Sequence, residues 1–174
     1  MTDLQYPIGS LSVPEELSPE ARAALIASMA SLPVRLRAAV AGLATRQQDT
    51  PYRPGGWTVR QVVHHLADSH IHAYTRTKLA LTEDNPTIKP YLEARWAELP
   101  DSRGPIEGSL ALLDHLHGRW TALLASIPPD QFARTYFHPE SQARVTLDGL
   151  IATYAWHGSH HVAHLTELRR REGW

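Results

Sequence analysis

Eleven of the 174 residues are histidine, and most of them fall in two short runs, HHLADSHIH from position 64 and HGSHHVAH from position 157. Imidazole nitrogens are good ligands for divalent first-row ions. Two imidazoles four residues apart on a helix share a face and can converge on one ion. The second run offers two such pairs, His157 with His161 and His160 with His164. At about 100° per residue, Leu150, Tyr154, His157, Leu165 and Leu168 fall within about 40° of His161, so the first pair sits inside an apolar stripe. His160 and His164 lie at about −100° and −60°, toward Trp156 and Glu167, where supporting or exposed roles are easier to arrange. Imidazoles on a core-facing stripe need partners that offset their desolvation, and a metal ion is such a partner. A lone buried histidine is ordinarily a satisfied core residue. Two at ligand spacing on the stripe favour a metal site.

A third ligand has to come from another helix, and the first run supplies candidates. The stripe of Val62, Val63, Leu66, Ala73 and Tyr74 has His64 and His65 on opposite flanks, so periodicity leaves both open. His70 and His72 read as helix-surface residues or as further lining of the same cleft. Three neutral imidazoles leave an ion its full charge and an open coordination position, the arrangement of a catalytic site rather than a closed structural one. Such an ion activates water and polarises a carbonyl, or takes up the thiolate of a cosubstrate. A fourth protein ligand would instead make a structural site, in a metal-binding bundle without turnover. Asp68, one turn along from both candidates, is placed to orient an imidazole or is an ordinary surface acid. Arg76, Arg119, Tyr74 and Tyr154 have the chemistry to steer an anion, but arginines on bundle helices mostly make surface ion pairs, so no catalytic side chain is assigned. No HExxH motif is present. Trp57 and Trp156 read as core packing.

The elements that must position these residues are legible from caps and breakers. Residues 1–17, with Pro7, Gly9 and Pro14, read as an extended arm laid over the domain. Ser18 before Pro19 starts a helix expected to reach about Ala44, kinked or restarted at Pro33. Thr58 and Gln61 form a capping box that opens a second helix of about 25 residues. Prolines and glycine break the stretch 83–105 into a long crossover, in which YLEARWAEL could add two helical turns. A third helix is expected from about Glu107 to Ser126, then a small hairpin in RTYFHPESQARVTL. The fourth runs from near Thr146 to about Arg171 and stops at Gly173. The reading is all-α: a four-helix bundle with one long crossover connection, forming a single domain over 1–174.

Composition narrows the function classes. Lys plus Arg total 17 against 18 for Asp plus Glu, a formal net charge of −1, which provides no basic footprint for nucleic acid or an anionic membrane. The absence of cysteine removes disulfides, thiolate ligands and a cysteine nucleophile together. No uninterrupted apolar run approaches the roughly 18 residues of a membrane span, and MTDLQYPIGS lacks the features of a secretion signal, so a cytoplasmic location is expected.

The combination of YPIG, DTPYRPGGWTVRQVVHHLADSH, SLALLDHLHGRWTALL and WHGSHHVAHLTELRR resembles the YfiT-type metal-dependent hydrolases of the DinB superfamily, over nearly the full length. That resemblance implies a four-helix bundle holding one divalent ion per subunit on three histidines, and first-row affinity at imidazole sites points to zinc or nickel. The second-helix ligand in that pattern is the histidine directly before Leu-Ala, here His65. The fourth-helix pair falls on His157 and His161, the pair the helical-face argument selects. Gly158 and Ser159 between them belong to no recognised part of the pattern. The resemblance further implies a small-molecule substrate and a homodimer, with the 83–105 connection available to cover the partner. It admits a second activity, metal-dependent S-transfer with a low-molecular-weight thiol such as bacillithiol.

Overall fold

The computed structural model describes residues 4–14 and 16–174; the parts of the expected arm at 1–3 and 15 lie outside them. The elements are α1 (Pro19–Val40), α2 (Thr45–Gln48), α3 (Val59–Thr82), α4 (Glu93–Trp96), α5 (Glu107–Ser126), β1 (Thr135–His138), β2 (Ala143–Thr146) and α6 (Leu147–Glu172). Four long helices form the bundle, as the all-α reading expected. The caps act where the residues place them. Ser18 accepts from the Ala21 amide, Thr58 and Gln61 form the capping box, Thr146 accepts from the Gly149 amide, and Gly173 closes α6 in the left-handed conformation.

Two boundaries differ from expectation. α1 does not restart at Pro33 but runs through it, and it ends at Val40, short of Ala44, which instead caps α2. Within the crossover only Glu93–Trp96 is helical, with a 3₁₀ turn at Pro100–Arg103. α1 also qualifies by length and composition as a helix able to cross a membrane, although its alanines, leucines and isoleucine form no long uninterrupted apolar run. Here its Met29, Leu32 and Leu36 side is buried where α1 packs on α5 and α6.

α1 and α3 each pack against both α5 and α6, so around the bundle the order is α1, α5, α3, α6. The core has two apolar clusters. One holds Leu36, Val62, Val63, Leu66, Leu110, Leu113, Leu165 and Leu168; the other holds Met29, Ala73, Trp120, Leu124, Leu147, Leu150, Ile151 and Tyr154. Between them lie Pro33 on α1, His70 on α3, His117 on α5 and His157 on α6. Reading each helix from one cluster to the other, α3 and α5 run in the same direction, opposite to α1 and α6. Two consecutive, adjacent, parallel helices require a connection that returns the length of the bundle, and residues 83–106 are that connection. It pairs with β1 through Ile88 and Phe137 and packs back onto α3. The N-terminal arm runs along α6, with the Gln5 carbonyl on His164 and Val13 beside Gly149.

Gly158 faces Leu32 of α1 where α6 packs on that helix. A Cβ there would lie 2.6 Å from Leu32 Cδ2, and Leu32 is itself fully buried. The substitution Gly158→Val is therefore expected to lower unfolding stability by about 1–3 kcal/mol through overpacking. The loss should be smaller in a Leu32→Ala background, where the added methyls have space. Urea denaturation of the two singles and the double measures it; equal losses in both backgrounds would contradict the contact.

Candidate metal centre

His65 on α3 and His157 and His161 on α6 come together because α3 and α6 are neighbours in the bundle. Each contributes one ring nitrogen to a group whose members all lie within 4.8 Å of one another, and no carboxylate joins it among the described residues. The Nε2 atoms of His65 and His157 are 3.2 Å apart. A tetrahedral ion with metal–nitrogen bonds of about 2.0–2.1 Å needs its nitrogens roughly 3.3 Å apart, so this spacing fits one. Burial pushes the His65 pKa down to about 4 and those of His157 and His161 well below the ordinary value, in the latter two reinforced by neighbouring imidazoles. All three are neutral at pH 7, the form that ligates. The Nδ1 of His161 is buried without a hydrogen-bond partner.

A hydrogen-bonded chain behind His157 sets which of its nitrogens is free. Pro33 has no N–H to offer the Met29 carbonyl one turn back, and His117 Nδ1 meets that carbonyl at 2.8 Å. A carbonyl only accepts, so Nδ1 of His117 carries the proton and its Nε2 is the acceptor. His70 Nδ1, 2.8 Å from that Nε2, must then donate, which leaves His70 Nε2 to accept from His157 Nδ1 at 3.1 Å. Burial keeps His70 neutral and lowers His117 to about 4, so neither ring takes a second proton at neutral pH. The lone pair of His157 is therefore on Nε2, facing His65. The link runs from α1 through α5 and α3 to α6.

The other sequence candidates are sorted by packing. His64 points away from the group, to Ser109 Oγ at 2.8 Å and the Gly104 carbonyl. Asp68 lies in the field of His64 and Asp101 with its pKa raised by burial, and it makes no hydrogen bond to a ligand imidazole, so the orienting role considered for it falls to His70. His70 is fully buried rather than at the helix surface, and His72 stacks on Tyr91. His160 and His164 are buried too, because Trp156 stacks on the first and Tyr52 on the second, with Tyr6 and Gln5 of the arm beside them. Trp57 is more than packing: its ring lies 4.5 Å from that of His65 and lines the open cleft.

That cleft has a volume of about 370 Å³, and its lining includes the three histidines, Ser69, Arg76, Tyr91, His138 and the exposed carboxylates Glu93 and Glu140. Tyr91 and Glu93 come from the crossover and His138 and Glu140 from the hairpin region, segments without periodicity to mark them. Ser69 and Arg76 follow His65 by 4 and 11 residues, a same-face spacing that is readable from sequence.

The chain resembles known proteins over nearly its whole length. The sequence pattern of the DinB superfamily matches residues 29–165. The chain is 51% identical over 173 residues to a Bacillus subtilis protein named "Putative metal-dependent hydrolase YfiT", covering 99% of this chain and 97% of the relative. It is 52% identical to a Bacillus mycoides protein similarly named, with both chains covered completely. The solved structure of B. subtilis YfiT, described as a probable metal-dependent hydrolase with an unusual four-helix bundle topology, superposes with a TM-score of 0.96 over 98% of each chain.

The hydrogen-bonded chain makes a spectroscopic prediction. In metal-free protein at neutral pH, long-range ¹H–¹⁵N spectra should show the Nδ1–H tautomer at His70, His117 and His157. His117→Phe strands the Met29 carbonyl and the His70 N–H, with an expected cost of about 1–3 kcal/mol, and His117→Gln, which can donate and accept, should recover part of it. An Nε2–H tautomer at His157 in the wild type would break the chain of reasoning.

Proposed function

The chain belongs to the DinB superfamily, and from that membership we propose that it is a metal-dependent hydrolase holding one divalent ion per chain on His65, His157 and His161. The observation that carries the reading is the convergence of three neutral ring nitrogens at the floor of an open cleft, with no carboxylate completing the set among the described residues. When bound, the ion supplies Lewis acidity, lowering the pKa of water toward about 7 and polarising an acyl oxygen. Zinc and nickel both suit an all-imidazole donor set. The chain's own residues do the rest. His117 and His70 hold the His157 ring in one tautomer and one orientation, which supports the ligand and limits loss of its proton. Trp57 closes one side of the cleft against His65 and His161. Ser69, Tyr91 and His138 present hydroxyl and imidazole groups within reach of a substrate in the cleft, suited to orienting it or carrying a proton.

Elemental analysis of purified protein should find about one zinc or nickel per chain, with the metal largely lost from the Ala variants of His65, His157 and His161 and retained in His164→Ala. Metal-loaded protein should hydrolyse members of an ester and amide panel in water. Turnover only after a low-molecular-weight thiol is added would move the reading to S-transfer, and turnover that survives metal removal would overturn it.

We also propose a homodimer. Leu92, Trp96 and Leu99 on the returning connection are exposed large apolar residues that a second copy would cover. Sedimentation at micromolar concentration is expected to show twice the 19.4 kDa chain mass; a monomer alone would refute it.

A further inference from the structure

Arg76 follows His65 by 11 residues on α3. Eleven residues complete three helical turns to within about 20°, so both side chains leave the same face, with Cα atoms about 16 Å apart along the axis. Ser69 lies between them on that face, and all three line the cleft with His157 and His161. Arginines on bundle helices ordinarily sit at the surface beside a carboxylate. Arg76 does neither. It is 8% exposed, and the ion pairs among the described residues engage Arg22, Arg37, Arg60 and Arg170 instead. The cleft's own carboxylates, Glu93 and Glu140, are exposed and form no ion pair with it. Its polar surroundings are the Tyr136 hydroxyl and the half-buried His72 and His138, whose pKa values fall through burial and the nearby guanidinium charge.

A guanidinium cannot shed its charge to escape burial, because it stays protonated at any pH the fold survives. A buried charge without a counter-ion is costly. When that charge lines the same cavity as a ligand set for a metal, the missing half of the ion pair is best supplied by whatever enters the cavity. The planar fork of arginine matches the two oxygens of a carboxylate or a phosphate.

We propose that Arg76 anchors an oxyanion, a carboxylate or phosphate carried by the substrate at the end remote from the bond that reacts at the three histidines. The inference rests on reading His65, His157 and His161 as the reaction centre. Both side chains lean toward the N-terminus and the arginine is the longer of the two, so Arg76 reaches part of the way back toward His65 and the two ends of the ligand stand on the order of 10 Å apart. The substrate class is thus an extended anionic molecule, such as an acyl or amide compound with a terminal carboxylate or phosphate.

The test is calorimetric titration of zinc-loaded protein with the monohydroxamates of adipic and suberic acids, the diacid probes, each against the same hydroxamate with its remote carboxylate converted to an amide, the monoamide probe; the hydroxamate takes the zinc in both, so only the charge at the far end differs. At least one diacid should bind roughly tenfold tighter than its monoamide, the size of one good charge-assisted contact. An ω-phosphono hydroxamate of matching length shows which oxyanion is preferred, and tighter binding of either kind than of the monoamide supports the anchor. In Arg76→Gln the preference should shrink to within about twofold while zinc content and monoamide affinity hold. Arg76→Lys keeps the charge without the fork and should retain part of the preference. An arginine that merely holds Tyr136 in place would lower the melting temperature of Arg76→Gln without moving the diacid-to-monoamide ratio. If the Gln variant does not fold, the wild-type ratio and the Lys variant decide. Equal binding of diacids and monoamides by the wild type, or a preference that persists in Arg76→Gln, overturns the proposal. A protein that takes up no metal would defeat the hydrolase reading separately, and the same ratio measured on metal-free wild type and Arg76→Gln would then judge the anchor alone.

Discussion

A band of imidazoles across the middle of a helical core has to be neutral and hydrogen-bonded, and much of this structure follows from that requirement. Buried polar groups without partners cost free energy, and a half-satisfied network is worse than an apolar core. The part of the band behind His157 is satisfied here by a defect in the backbone. Pro33 leaves the Met29 carbonyl without its helical donor, His117 supplies one, and the direction of every later hydrogen bond follows from the fact that a carbonyl can only accept. A residue with an N–H at position 33 would bond Met29 itself and leave His117 free to take either tautomer. The apolar clusters on both sides shield the chain from water and keep the rings neutral.

The order of helices around the bundle supports the same centre from outside. Placing α3 beside α6 brings His65 to His157 and His161, and it also makes the consecutive helices α3 and α5 parallel neighbours. Their connection must travel back along the bundle, and in doing so it lays Pro90, Tyr91 and Glu93 over the cleft. One topological choice thus creates both the three-histidine group and a wall of the cavity above it. The centre is dry behind His157, where His70 is fully buried, and open in front, where Trp57, Ser69 and Arg76 line the entrance. Gly158, one residue after His157, lets α6 sit tightly on Leu32 of α1.

Burial also changes the meaning of several side chains. His160 and His164 lie off the centre of the apolar stripe, where an isolated helix would expose them. The arm and the residues around Tyr52 cover that flank, so the stripe is wider in the fold than its own helix suggests. Arg76 looked like a surface residue because most bundle arginines are. Its burial depends on the hairpin carrying Tyr136 and His138, which no local pattern ties to α3. Asp68 had the right spacing from His65 but faces the His64 side, since one helical turn leaves an angular error large enough to separate two flanks.

The residues alone determined the four long helices and the first two members of the three-histidine group. Ser18, Thr58, Thr146 and Gly173 act on amides and carbonyls within a few residues, and an i, i+4 pair on an apolar stripe is a property of one helix. Such features are local and survive without knowledge of any neighbour. What periodicity provides is an angle around one axis, and it cannot say which element stands at that angle. His64 and His65, on opposite flanks of one stripe, were equivalent in that respect, and only the family resemblance distinguished them before packing put α6 on the side of His65. The linkage from Met29 to His157, the burial of Arg76 and the cleft walls from the crossover and hairpin were decided by tertiary structure, because each joins residues on different elements whose contact no local interaction encodes.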